Sequence, residues 1–223
     1  MQDLGSFSKS AGGPSATQQA YDAIRQLILT GALQPGEKLK IERLRETLGL
    51  GASPVREALS LLTSDHLVER LDQRGFRAAE TSGDDFQSIL NLRCLLEESA
   101  IRQSIANADA AWEDRLVLSH HRLTKTPRDV TTEFEARHKA FHMALLDNCG
   151  SPILLKFCSQ LYDLNIRYRF IAGRGITYGK RDVSKEHADI LDAAIERDAD
   201  LASTRLLEHY RGTGQFLADA LNT

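Results

Sequence analysis

The feature that most constrains this chain is a change of punctuation near residue 80. From Ala16 to about Glu80 the apolar periodicities are short, and Gly or Pro interrupts them every few residues. From Ser82 onward long stretches repeat apolar residues at three- and four-residue spacing, with few breaks. Apolar residues recurring on a period near 3.6 mark amphipathic helices, whereas short runs bounded by turn residues mark small mixed units. The 223 residues are therefore expected to form two domains, with a boundary at 80–83.

The first segment reads as helix, helix, helix, hairpin. Ala20, Ile24, Leu27 and Ile28 line one helical face, ended by Gly31 and a Gln34-Pro35-Gly36 turn. A short helix over 41–48 carries Leu44 and Leu48 inward. A third helix is expected from Ser53, as its cap, with Pro54 at the first helical position, through Val55, Leu59 and Leu62 to about His66. Leu67–Leu71 and Phe76–Ala79 read as strands joined across Asp72-Gln73-Arg74-Gly75. That order is the order of a winged helix-turn-helix. Residues 82–221 read as six helices, near 84–106, 109–124, 130–148, 152–172, 185–197 and 199–221, an all-α bundle. The fold class is thus mainly α. The domains are an arm over 1–15, a winged helix-turn-helix over 16–80 and a helical domain over 81–223.

Composition narrows the function classes. Apolar residues at 42% and charged residues at 26% fit a folded chain rather than a disordered one. The apolar runs are too short to span a bilayer, and Met1–Ser15 lacks the apolar core of a secretory signal. Cys94, Cys149 and Cys158 are odd in number and widely spaced, which suits a reducing cytoplasm and no disulfide framework.

With a formal net charge of −3, any nucleic-acid contact must come from a local face. Residues 16–80 hold nine basic and nine acidic side chains, so placement decides. Ser53 and Arg56 lie in the first turn of the third helix, where a recognition helix reaches base edges. Lys40, Arg43 and Arg45 lie on or just before the second helix, and Arg74 and Gly75 form the hairpin tip. These seven are the expected contacts to double-stranded operator DNA.

Leu48-Gly49 with Pro54-Val55-Arg56-Glu57-Ala58-Leu59, the upstream run Ile28 to Gly36, and the wing Arg74-Gly75-Phe76 together resemble GntR-type bacterial transcription regulators. The resemblance implies that Arg56, the start of the third helix and the wing glycine touch DNA. The family usually has Ser-Arg just before that helix; Gly51-Ala52 stand there in this chain.

In the second domain four histidines fall on apolar faces. His138 and His142 are one helical turn apart, on the stripe of Phe134, Phe141 and Leu145. His187 shares a stripe with Ile190, Leu191 and Ala194, and His209 shares one with Ala202, Leu206 and Phe216. A lone buried imidazole usually finds a local hydrogen-bond partner. Four that converge from three helices are better explained by a shared cation, since unpaired buried imidazoles are costly.

The bundle further resembles the FCD ligand-binding domain of the FadR subfamily, through Arg93 with Glu97, Phe141-His142, Glu186-His187 and His209. That resemblance implies a metal held by an Asp or Asn and three histidines, carried here by His142, His187 and His209. His138 occupies the Asp position. An all-imidazole set favours zinc or nickel among divalent ions. His138 and the run Arg167-Tyr168-Arg169-Phe170 resemble the regulators of carbon-starvation and glutarate metabolism in particular.

The expected function is a dimeric DNA-binding regulator, a repressor by the commoner family outcome. Its bundle binds a divalent metal and a small carboxylic or dicarboxylic acid. Arg93 and then Arg167 are the effector-binding guanidinium groups, Arg93 having Glu97 as an alternative partner at i,i+4. The competing reading is a metal-sensing or metal-stabilised regulator without an organic effector. A helical metalloenzyme is disfavoured. Glu135-x-x-His138 is a single Glu-x-x-His, and a di-iron bundle needs two such motifs plus further glutamates.

Overall fold

The computed structural model describes residues 13–127, 132–171 and 181–221, without the side chains of Phe216 and residues 218–221. Most of the 1–15 arm and part of the connection expected over 173–184 lie outside the described residues. The chain divides into two compact units, one of residues up to Ala79 without Leu29–Gly31, the other of Leu29–Gly31 and the chain from Glu80 onward.

The first unit contains α1 (Ala16–Leu29) except its last residue, β1 (Lys38–Leu39), α2 (Ile41–Leu48), α3 (Ala52–Ser64), β2 (Val68–Leu71) and β3 (Gly75–Ala78). Ala20, Ile24 and Ile28 of α1 are fully buried, as are Val55, Ala58, Leu59 and Leu62 of α3. Gly49 closes α2 at φ +65°, its N–H donating to Arg45 O. A side chain is strained at that angle, which is why a glycine stands at the turn. His66 takes a similar left-handed φ of 60° just after α3.

Two expectations need correction here. Helix α3 starts at Ala52, so Ser53 is its second residue and not its cap; Gly51 caps it in extended backbone with no side-chain bond. The cause is local. The Ser53 hydroxyl donates to Glu57 Oε1 at 3.1 Å, along the helix, instead of accepting from the first turn. Pro54 still costs nothing, because the first helical bond is made by Val55 N to Gly51 O. The second correction is β1, a strand absent from the expected order of three helices and a hairpin. Lys38 and Leu39 pair antiparallel with Arg77 and Phe76, giving a three-stranded sheet in the order β1-β3-β2. Two residues are too short to show an alternation.

The second unit is six helices: α4 (Gly83–Ala106), α5 (Ala110–Lys125), α6 (Thr132–Leu146), α7 (Pro152–Ile171), α8 (Val183–Ile195) and α9 (Ala199–Leu221). Side-chain caps fix three of the starts. Ser82 accepts from Asp85 N, Asp109 from Trp112 N, and Asp182 from Lys185 N. Helix α4 packs on α9 and α7, α8 on α9 and α5, and α5 on α6. Phe86, Trp112, Leu116, Phe141, Leu145 and Leu206 lie in the buried core. The Trp112 indole N–H donates to Ala144 O at 2.8 Å, which satisfies its one polar atom inside that core. No helix among the described residues is long and apolar enough to cross a membrane.

Candidate metal centre

His138, His142, His187 and His209 meet in the interior of the second unit. Each offers a ring nitrogen, and the four nitrogens lie within 4.8 Å of one another. Two come from successive turns of α6, one from α8 and one from α9. All four rings are at least nine-tenths buried. The Nε2 atoms of His138 and His142 face each other at 3.2 Å.

The donor set suits a divalent ion. Zinc–imidazole bonds of about 2.0–2.1 Å put neighbouring ligand nitrogens of a tetrahedron about 3.3 Å apart. Burial depresses the proton affinity of His138, His142 and His209, and the neighbouring imidazoles add to the effect at His138 and His142. Those three rings are therefore neutral near pH 7, with lone pairs available to a cation.

The outer nitrogens are oriented by a surrounding layer of polar groups. The Tyr210 hydroxyl donates its single proton to Glu97 Oε2, so at 3.0 Å it accepts from Nδ1–H of His142. That assigns the His142 proton to Nδ1 and leaves Nε2 facing inward as a lone pair. Nδ1 of His209 donates to Glu186 Oε2 at 2.8 Å, with the same consequence. Burial would raise the Glu186 carboxyl, but His209 and Arg181 outweigh it and hold it down at about 2. Nδ1 of His138 lies 2.5 Å from the Tyr162 hydroxyl.

Arg93 lies one layer out. Its Nε donates to Glu97 Oε1 at 2.6 Å and its Nη1 to Asn165 Oδ1 at 3.1 Å. Its guanidinium sits 3.9 Å from the centre of the Tyr210 ring and 4.9 Å from that of Tyr162. Burial works against the Arg93 charge, but Glu97 outweighs it. The structure thus contains the alternative partner for Arg93, the i,i+4 pair, fully buried. Nη2 of Arg93 is buried without a hydrogen-bond partner. Arg167 is buried on α7, and its charge acts on Tyr168.

Tyr162, Tyr210 and Arg181 were not singled out from sequence, and Arg169 only as part of the run 167–170. Arg169 pairs with Glu135 at 3.0 Å, and its charge reaches His138 and His142. Glu135 is buried, which raises its carboxyl, and one of its oxygens is 4.0 Å from His138 Nδ1. A sequence signal was present for Tyr210, which follows His209 directly. The ring of His120, on α5, lies 5.2 Å from that of Phe141, and His120 lines a cavity of about 280 Å³ with His187, Thr124, Thr126 and Ser184.

In the first unit the expected DNA contacts are all exposed. Arg43 pairs with Glu37 and Arg45 with Glu42, both at 3.3 Å. Lys40, Arg56 and Arg74 make no ion pair among the described residues. Gly75 has a φ of +94°, and nothing lies within 4 Å of where a Cβ would stand, so the wing tip is open. Arg77, one step along, is held by Glu69 across the strand pair at 2.6 Å.

Comparison with known proteins completes this picture. Residues 16–77 match the family described as bacterial regulatory proteins, gntR family, and residues 88–212 match the FCD domain. The regulator BphR of Paraburkholderia xenovorans is 36% identical over 87% of this chain and 82% of its own length. The repressor GlaR of Escherichia coli is 32% identical over 85% of this chain and 90% of its own. Among solved structures, E. coli McbR/YncC superposes with a TM-score of 0.82 at 23% identity, covering 94% of this chain and all of that one. A GntR regulator from Rhodococcus gives 0.73 at 18% identity, covering 94% and 99%. The chain belongs to the gntR family of bacterial regulatory proteins, with an FCD domain as its C-terminal unit. It is a DNA-binding transcription regulator rather than an enzyme.

Proposed function

We propose that this regulator, of the FadR type, holds one divalent ion, zinc or nickel, in the four-histidine centre, and that the ion sets its operator-binding state. The carrying observation is the convergence of four buried imidazoles whose ring nitrogens lie within 4.8 Å of one another. Four imidazoles can satisfy a tetrahedral ion without an exogenous ligand. The ion then acts as the sensed species or as the staple of the bundle. His138, His142, His187 and His209 would hold it, and Tyr210, Glu97, Glu186 and Tyr162 would orient the rings. When bound, the ion supplies a charge that ties α6, α8 and α9 together.

The first unit acts on operator DNA as a homodimer, with Ser53, Arg56, Arg74 and Gly75 at the grooves and Lys40, Arg43 and Arg45 near the backbone. Repression is supported by the relative GlaR, a transcriptional repressor.

One observation favours a second reading, in which a small carboxylic acid joins the centre. Nη2 of Arg93 is buried without a partner, and an incoming carboxylate would satisfy it. Arg167, buried on the same helix as Asn165, is the further candidate.

Operator binding measured by fluorescence anisotropy at fixed salt separates the readings. In the metal reading, adding zinc or nickel alone to the metal-free protein changes operator affinity. In the second, affinity changes only when an organic acid joins the metal-loaded protein. If neither addition alters it, the centre has no regulatory role.

A further inference from the structure

A polar latch ties the start of α8 to the middle of α9. The guanidinium of Arg181 is bidentate on Glu186, with Nε to Oε1 at 2.9 Å and Nη2 to Oε2 at 2.6 Å. The same group reaches across to α9, where Nη2 donates to His209 O at 3.2 Å and Nη1 to Thr213 Oγ1 at 3.3 Å. Glu186 Oε2, held in this way, accepts from Nδ1 of His209. Glu186 also precedes His187 directly, so one carboxylate stands beside two members of the histidine centre on two helices.

The sequence of α9 makes room for this latch. Glycine is the poorest helix former after proline, yet Gly212 and Gly214 lie inside α9. Each has a reason in packing. A Cβ at 212 would stand 2.9 Å from Arg181 Cζ and 3.1–3.2 Å from its two terminal nitrogens. A Cβ at 214 would stand 2.3 Å from Leu90 Cδ2. Gly212 is thus the seat on which the guanidinium rests, and the helix gives up propensity to provide it.

We infer that Arg181, seated on Gly212, is a positioning residue for the histidine centre, fixing the ring of His209 through Glu186. The inference rests on the metal reading for its consequence, while the ring orientation itself does not. Without Arg181, Glu186 keeps its bond to His209 but loses the cation and the geometry that aim it. The His209 ring then samples other orientations, and its inward nitrogen is presented for only part of the time. An alanine at 212 has the same effect from the other side, by lifting the guanidinium off its seat.

The test uses the full-length protein with Arg181→Gln, Gly212→Ala and the double variant. Cobalt(II) is titrated and followed by its ligand-field absorption. Imidazole nitrogen NMR on the metal-free protein reports the His209 tautomer, and metal-free melting checks that each variant folds. Removal of an outer group that orients a metal ligand typically weakens affinity by about 10- to 100-fold. Each single variant is expected to weaken cobalt binding within that range and to convert His209 from one tautomer to a mixture. The double variant is expected to be no worse than either single, because both act on one latch. Wild-type cobalt affinity and an unchanged His209 signal in Arg181→Gln, with affinity lost in His209→Ala, would overturn the inference and leave the metal reading intact. If the wild type takes up no cobalt, the metal reading fails. The His209 signal then decides alone, a mixture supporting the latch and an unchanged tautomer removing it.

Discussion

Nε2 of His138 and Nε2 of His142 face each other across 3.2 Å on adjacent turns of α6. Two neutral imidazoles can satisfy that pairing only if one of them donates. His142 already spends its proton on Tyr210, so in the metal-free protein His138 is the donor. A cation taken up by both rings requires His138 to move its proton to Nδ1, toward the Tyr162 hydroxyl. The pair is therefore built to exchange a proton-mediated link for an ion-mediated one.

Metal loading should raise the melting temperature. An ion at about 1,000 times its dissociation constant stabilises the folded state by about 4 kcal/mol. For a chain of this size that corresponds to roughly 8–16 °C. Differential scanning calorimetry with zinc and then with excess chelator should show the rise and its reversal, and His142→Ala should show neither.

The Tyr210 hydroxyl should matter separately from its ring. Tyr210→Phe keeps the face beneath the Arg93 guanidinium but leaves Nδ1–H of His142 and one Glu97 oxygen unpaired. Leaving buried polar groups unsatisfied costs about 1–3 kcal/mol. Urea unfolding of the metal-free variant should show a loss in that range, and zinc affinity should fall about tenfold, as for other groups that orient a ligand. Unchanged values in both measurements would remove Tyr210 from the centre.

On the DNA side, partnered and unpartnered cations should differ. Arg56→Ala and Arg74→Ala should weaken operator binding without changing the melting temperature, since neither makes an ion pair among the described residues. Where the arginine neutralises a phosphate, its removal should also reduce the salt slope by about one. Arg77 is bound to Glu69 across the hairpin and is only partly exposed. Arg77→Ala should cost less than about 1 kcal/mol of stability and leave operator affinity close to wild type.

The three cysteines should be inert in the folded protein. Cys94, Cys149 and Cys158 are free and buried. Burial pushes the Cys158 thiol up to about 12 and raises Cys94 as well. A group raised on folding stabilises the folded state below its ordinary value and loses that contribution as pH rises through the shifted one. Stability should therefore decline from about pH 9 toward 12, and Cys158→Ala should flatten that limb. A thiol reagent at pH 8 should label the native chain slowly and all three cysteines after unfolding.

The sequence made much of this fold legible, for physical reasons that differ by element. The long helices showed themselves through apolar periodicity, and α3 through Pro54 and Val55-Leu59-Leu62. The start of α3 was misplaced because serine is a common cap, and only the bond from Ser53 to Glu57 reveals that it is used otherwise. Strand β1 has two residues and no pattern to read. The four histidines were legible because each lies on an apolar stripe, where an unpaired imidazole is costly. The groups that aim their rings were less so. The hydroxyls of Tyr162 and Tyr210 meet His138 and His142 from 24 and 68 residues away, and Arg181, though five residues from Glu186, reaches His209 across 28, so spacing carries little trace of these pairings.

Equilibrium dialysis of the purified protein against zinc or nickel, with the bound metal counted per chain, tests the four-histidine centre most directly. The wild type is predicted to hold one ion per chain, and replacing His142 or His187 by alanine is predicted to weaken affinity by at least about 100-fold. No bound ion in the wild type, or an ion held equally well by both variants, would contradict the metal centre.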